Sequence, residues 1–182
     1  AMIVMNDANL DLALEGILWG AFGTTGQRCT ATSRLIVQEG VHDAFVSMLE
    51  KRAAKLVLGD GRKAGTDVGP LIHADARAQA ERYVEIGKKE GAELRLGGAR
   101  ATGPGLDRGF FFQPTIFTGV KALSRLEQEE IFAPVLSVIK VTDAEEAFRV
   151  NNDVAYGLSS SVYTQDVNLA FRALNELDNG IT

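Results

Sequence analysis

The sequence is short of residues that cross-link the chain or ligate metals. It holds one cysteine, Cys29, among 182 residues, and a single cysteine cannot form an internal disulfide. This predicts a reducing compartment, and we expect the cytoplasm. The two histidines, His42 and His73, have no neighbouring ligands at zinc-like spacing. We therefore predict no metal site and interpret each histidine as a solvated residue at the start of a helix.

Long apolar runs and leader-like segments are also missing. The longest apolar stretch is charged at its start and is broken by Gly23 and Gly26, so it falls short of the roughly 18 uninterrupted apolar residues of a membrane span. A secretory leader would need a basic segment before an apolar core, whereas residues 1–5 have the character of a strand. We expect no membrane partner.

Charge of one sign does not dominate the sequence. The chain has 19 Lys and Arg against 24 Asp and Glu, a net charge of −5, and its basic residues are scattered. Without a basic stripe, nucleic acid is not an expected partner. Hydrophobic residues make up 46% of the chain, which suffices for a buried core. No repeat or low-complexity linker divides the sequence, so we expect one domain over residues 1–182.

Segments of strand and helix character alternate along the chain. Predicted strands cover residues 1–5, 33–38, 92–96, 110–117, 135–141 and 158–164, and predicted helices include 74–89, 143–151 and 166–177. Because Pro114 cannot donate to a sheet ladder, we place strand 110–117 at an edge. The inward face of the last helix should carry Leu169, Ala173, Leu174 and Leu177. This alternation predicts an α/β fold, an open, mostly parallel sheet with helices on both faces.

Cys29 is the first candidate for chemistry. It follows Gly23-Thr-Thr-Gly26, and glycines let a chain turn sharply and approach a ligand closely. A thiol there could be a nucleophile, although a free cysteine is more often a small buried hydrophobe. The neighbouring Arg28 could favour the reactive thiolate, or its side chain could equally point away to solvent.

A pair of acids, Glu129 and Glu130, is the second candidate. The pair precedes Phe132, Pro134 and an apolar strand. Ligands of open α/β sheets collect near strand ends, where carboxylates can hydrogen-bond sugar hydroxyls. Paired acids are more commonly a solvated surface, and this alternative stays open.

Taken together, the two segments resemble signatures of the aldehyde dehydrogenase superfamily. Its cysteine signature is found as Gly26-Gln-Arg-Cys-Thr30, and its Glu-Glu-Ile-Phe-Gly-Pro-Val signature as Glu129–Val135, with Ala133 in place of the glycine. The similarity continues through residues 151–153 and 156–166. A further departure is Thr24, where an asparagine is common.

The resemblance implies roles for three residues. Cys29 would be the nucleophile that attacks an aldehyde, forming a thiohemiacetal and then a thioester, and its backbone N–H would donate to the oxyanion. Glu130 would hydrogen-bond the nicotinamide ribose of NAD or NADP, and Phe132 would pack near the nicotinamide. Gln27 and Arg28 would shape the loop. The implied partner is a small-molecule aldehyde, and the implied parent is a homodimer or homotetramer.

Other parts of the family pattern are absent. The general-base glutamate of the family's Glu-Leu-Gly-Gly-Lys segment, the oxyanion asparagine and nearly all of the cofactor-binding domain do not occur in residues 1–182. We therefore expect this catalytic domain to be inactive alone. The motifs most resemble the semialdehyde-oxidising branch that includes aminoadipate semialdehyde dehydrogenase. The alternatives are an acylating member that uses coenzyme A and a noncatalytic structural protein of this fold.

Overall fold

The computed structural model describes all residues from 1 to 182, arranged as six strands and six helices. In chain order these are β1 Met2–Val4, α1 Leu10–Phe22, β2 Arg34–Gln38, α2 Glu39–Ala53, α3 Ala74–Lys89, β3 Glu93–Leu96, β4 Thr115–Thr118, α4 Arg125–Gln128, β5 Val135–Val141, α5 Ala144–Asn152, β6 Ser161–Tyr163 and α6 Val167–Glu176.

One six-stranded sheet organises the chain, in the order β3-β4-β5-β2-β1-β6. Every neighbouring pair is parallel except β3 and β4, which are antiparallel at one edge. At the centre, β2 and β5 pair over five residues, from Arg34 opposite Ser137 to Gln38 opposite Val141. The predicted open, mostly parallel sheet is confirmed.

Helices cover both faces of the sheet, as predicted. Side chains alternate along each strand, so Leu35 and Val37 of β2 face the layer of α1 and α2, whereas Ile36 faces the layer of α3, α5 and α6. Each layer has its own buried core, of 18 and 21 residues respectively. The strands are therefore apolar throughout because both of their faces are covered.

Local sequence signals explain where several helices begin. His73, Asp143 and Asp166 stand immediately before α3, α5 and α6, and each side chain accepts a hydrogen bond from a backbone N–H in the first turn. Such caps satisfy donors that have no partner within the helix. The predicted role of His73 at a helix start is thus observed. His42 also lies near the start of α2, but it is buried and not solvated as predicted.

The structure corrects two further predictions. The strand predicted over residues 110–117 is β4, which starts only after Pro114 and lies between β3 and β5 instead of at an edge. Phe112 instead belongs to a buried core. In α6, Ala173 and Leu177 point inward as expected, but Leu174 is 57% exposed. The longest helix has 16 residues, and no helix has the combined length and apolar character needed to cross a membrane.

Candidate active site

A cleft of about 340 Å³ opens at one end of the strands. Its walls come from segments that immediately precede or begin parallel strands: Ala1 before β1, Ser33 and Arg34 at β2, Ala133 and Val135 at β5, and Ser159 and Ser160 before β6. The cleft therefore lies at the amino ends of the strands. Ligands of doubly wound sheets usually bind beyond the carboxyl ends, so this placement differs from the usual rule.

All three residues predicted for the site line this cleft, although they come from two distant segments. Cys29 belongs to residues 23–33, between α1 and β2, which we call the cysteine loop. Glu130 and Phe132 belong to residues 129–134, between α4 and β5, which we call the glutamate loop. Cys29 is an exposed free thiol, so it is not a small buried hydrophobe of the core.

Three hydrogen bonds between side chains of the cysteine loop and the backbone of residues 69–72 hold the loop in place. The hydroxyl of Thr25 donates to the carbonyl of Gly69 at 3.2 Å. The amide of Gln27 donates to the carbonyl of Pro70 at 3.3 Å and accepts from the backbone N–H of Ile72 at 2.9 Å. Gln27 therefore fixes the loop through both the nitrogen and the oxygen of its side-chain amide, which agrees with its predicted structural role.

Arg28 is directed towards α1. Its guanidinium lies over the ring of Trp19, 3.9 Å from the centroid, and its Nε donates to the hydroxyl of Thr24 at 2.9 Å. The hydroxyl oxygen of Thr24 therefore anchors the arginine. The side chain is half-buried.

The two loops of the site touch through Gly26. Its φ is +67°, and a Cβ built on it would lie 2.1 Å from the carbonyl oxygen of Ala133. Only glycine adopts this conformation without strain and leaves room for the facing carbonyl. This close approach brings the cysteine loop and the glutamate loop into one site.

The two neighbouring acids differ in their surroundings. Arg125 donates to both carboxylate oxygens of Glu129, at 2.7 and 2.9 Å, and the hydroxyl of Tyr83 donates to one of them. These hydrogen bonds, with that from Arg125 the stronger cause, lower the pKa of Glu129 to about 2. Glu130 is exposed and has no such partner. Glu129 is therefore a structural anchor, and Glu130 is free to bind a ligand.

A group of mostly buried polar residues that line the cleft was not predicted. Arg34 pairs with Glu127 at 2.5 Å, with side chains only 7% and 1% exposed. Nearby, the hydroxyl of Ser160 donates to the amide oxygen of Asn151 at 2.6 Å, and the amide nitrogen of Asn151 donates to Asn179 at 2.8 Å. The sequence offered one sign of this group: Arg34, a charged residue, stands at the start of a strand that is otherwise mainly apolar.

Comparison with known proteins identifies the family. The sequence model of the aldehyde dehydrogenase family matches this chain over residues 1–182. The chain belongs to this family. It is 44% identical over 178 residues to a betaine aldehyde dehydrogenase of Bacillus subtilis (strain 168), covering 98% of this chain and 36% of the relative. It is 39% identical over 180 residues to an alpha-ketoglutaric semialdehyde dehydrogenase of the same strain, covering 99% of this chain and 37% of the relative.

A solved aldehyde dehydrogenase shares the fold. The crystal structure of betaine aldehyde dehydrogenase from Staphylococcus aureus in complex with NAD+ superposes with a TM-score of 0.96 at 37% identity, over 98% of this chain and 35% of that one. The resemblance to the aldehyde dehydrogenase family is thus confirmed. This chain spans about a third of the length of the relatives that it matches.

Proposed function

We propose that this chain is the cysteine-bearing catalytic domain of an NAD(P)-dependent aldehyde dehydrogenase that oxidises an aldehyde to a carboxylic acid. The observation that carries the proposal is the cleft itself, in which an exposed thiol, a free carboxylate and an exposed aromatic ring from two loops face one space. Such a convergence of polar groups in a cleft is typical of an active site.

Cys29 is the nucleophile in this proposal. Its thiolate attacks the aldehyde carbon and forms a thiohemiacetal, in which the former carbonyl oxygen carries negative charge. The backbone N–H of Cys29 makes no hydrogen bond within the chain, so it is free to donate to that oxyanion. Loss of one such donor typically costs about 100-fold or more in rate. Loss of a hydride from this carbon to the bound nicotinamide would leave a thioester, and hydrolysis of the thioester would release the acid and restore the thiol.

The cleft residues fit the nicotinamide end of the cofactor. The free carboxylate of Glu130 can accept hydrogen bonds from ribose hydroxyls, and Phe132, which is 43% exposed, offers an apolar surface against which the nicotinamide can pack. When bound, the nicotinamide supplies the hydride acceptor for oxidation. Glu129 takes no part, because its carboxylate is engaged by Arg125 and Tyr83.

Other components of the site lie outside residues 1–182 in this proposal. The general base that activates water for thioester hydrolysis, the oxyanion side chain and most of the dinucleotide site would come from a cofactor-binding domain. The complete enzyme would be a homodimer or homotetramer acting on small aldehydes, and the exposed free thiol fits a reducing cytoplasm. NAD+ is present in the related S. aureus structure, and we propose NAD or NADP here.

Nicotinamide reduction by the complete enzyme tests this function. A panel of aliphatic, aromatic and carboxylated aldehydes should be oxidised by the wild type, whereas Cys29→Ala and the isolated chain should show no turnover. Glu130→Gln should mainly raise the KM for the cofactor. A matched variant, Arg62→Gln, removes a charge from an exposed loop residue and should keep activity.

Three results would contradict the proposal or a part of it. Absence of turnover with every aldehyde and both cofactors would favour the noncatalytic alternative. Formation of an acyl-coenzyme A in place of the free acid, when coenzyme A is supplied, would assign the acylating reaction instead. Turnover by the isolated chain would contradict the placement of the base outside residues 1–182.

A further inference from the structure

The ion pair of Arg34 and Glu127 joins the two segments that carry the site residues. Arg34 begins β2, immediately after the cysteine loop, and Glu127 lies in α4, three residues before Glu130. Both residues line the cleft, yet their side chains are almost completely buried. The pair is therefore a buried link between the strand that follows Cys29 and the loop that carries Glu130.

Hydrogen bonds extend this link on both sides. The guanidinium of Arg34 donates to two backbone carbonyls in the last turn of α5, those of Val150 and Asn151. The carboxylate of Glu127 accepts from the side-chain amide of Gln128, which also donates to a backbone carbonyl just after α5 at 2.7 Å. The start of β2 and the ends of α4 and α5 are thus fixed to one another by one network.

Stability alone does not account for a charged pair at this position. Apolar side chains of similar volume often replace a buried ion pair without loss of stability, because no charge then has to leave water. Arg34 carries a further cost, since its Nε is buried and has no hydrogen-bond partner in the chain. What the pair provides beyond an apolar contact is a directional geometry, which charge-assisted hydrogen bonds impose.

The glutamate loop has a conformation that must be held from outside. Glu130 and Phe132 are exposed in the cleft, whereas Ile131 and Ala133 between and after them are buried. The φ of Phe132 is +55°, and such a backbone persists only where the surrounding structure enforces it. Contact with Gly26 holds the end of the loop near Ala133, and the ion pair holds the end near Glu130.

We propose that Arg34 and Glu127 are positioning residues of the cofactor site, which hold the carboxylate of Glu130 where it meets the nicotinamide ribose. This inference rests on the proposed function. Cys29 depends less on the pair, because its loop is held separately by the hydrogen bonds of Thr25 and Gln27. The pair should therefore act on cofactor binding more than on the thiol.

Cofactor binding by the complete enzyme tests the inference. Titration calorimetry with NAD+ and with NADP+ on Cys29→Ala enzyme gives the Kd without turnover. Arg34→Met combined with Glu127→Met removes the charges in pairs, so that neither is left buried alone. It should raise the Kd about 10- to 100-fold, the worth of one hydrogen bond to a charged group. In enzyme that retains Cys29, the cofactor KM should rise with it and kcat should change less.

A double-mutant cycle with Glu130→Gln separates positioning from general damage. Glu130→Gln alone should weaken cofactor binding. Added to the double substitution at Arg34 and Glu127, it should weaken binding by less than about 2-fold further, because the carboxylate that it removes is already misplaced. Independent effects would instead multiply, and that result would overturn the positioning role.

Two more variants control for folding. Leu49→Ala removes a fully buried side chain of α2 that does not line the cleft, so it should destabilise the fold and leave the Kd unchanged. Glu127→Asp keeps a carboxylate opposite Arg34 and should retain part of the affinity. A Kd that rises as much in Leu49→Ala as in the double substitution would overturn the inference.

The outcome for the positioning role is distinguishable from that for the proposed function. Wild-type turnover and cofactor binding that Glu130→Gln weakens, with an unchanged Kd in the folded double substitution, would overturn only the role of Arg34 and Glu127. Absence of turnover and of binding to either cofactor in the wild type would overturn both.

Discussion

Gly26→Ala offers a direct test of the contact that joins the two loops of the site. The new Cβ would lie 2.1 Å from the carbonyl oxygen of Ala133 and 2.4 Å from its carbon. Both are backbone atoms, which cannot rotate aside as a side chain can. A non-glycine residue at φ +67° costs about 1–2 kcal/mol, and forcing atoms into a filled space adds about 1–3 kcal/mol. We expect a loss of about 2–5 kcal/mol in the free energy of unfolding.

Gly119→Ala is the matched control for this variant. Gly119 has a similar φ of +63°, but a Cβ there would meet nothing within 4 Å. It should therefore lose only the conformational part, about 1–2 kcal/mol. Urea unfolding of the purified chain measures both values. In the complete enzyme, displacement of the cysteine loop by about 1 Å should reduce kcat on the order of 100-fold, an effect that Gly119→Ala should not share.

Equal destabilisation by the two substitutions would refute this reasoning. It would mean that the contact between Gly26 and Ala133 relaxes without cost, and that the two loops are brought together by other interactions. A large loss of stability in Gly26→Ala with full activity would separate the two claims, because the loops would then tolerate displacement without harm to the chemistry.

Three more predictions concern stability. Glu127→Gln leaves Arg34 buried without a counter-charge, and urea unfolding should show a loss of about 3–5 kcal/mol. Glu129 has a pKa lowered from 4.5 to about 2, so its ion pair stabilises the fold above pH 4.5 and this contribution disappears towards pH 2; Glu129→Gln should flatten the pH dependence of the urea midpoint in that window. Leu177→Ala should cost about 2–5 kcal/mol, whereas Leu174→Ala should stay within about 0.5 kcal/mol, and equal losses would contradict the observed exposure of Leu174.

Much of the fold could be predicted because its signals are local. The predicted bounds of α3 and β5 agree with the structure, since a capping residue marks the start of the helix and a continuous apolar run marks the strand. The position of β4 could not be read in this way. Its place between β3 and β5 depends on an antiparallel partner, β3, that lies about 20 residues earlier in the chain, and nothing within residues 110–117 reports that pairing.

The candidate site was predictable only in part. Motif resemblance selected Cys29, Glu130 and Phe132, and the structure brings all three to one cleft. Neither the position of this cleft at the amino ends of the strands nor the pairing of Arg34 with Glu127 could be derived from the sequence. Both arise from contacts between segments about 100 residues apart. The residue types in one segment do not show which distant segment it will contact.

The backbone conformations around the cleft support the view that its loops serve binding more than stability. Thr25 and Phe132 have φ values of +58° and +55°, a region that costs residues other than glycine about 1–2 kcal/mol. They flank the contact between Gly26 and Ala133. Thr25 at least is buried and hydrogen-bonded, whereas Phe132 remains 43% exposed in the cleft. A strained backbone that presents an aromatic ring to an open cleft gains little in folding, and such outliers concentrate at functional sites.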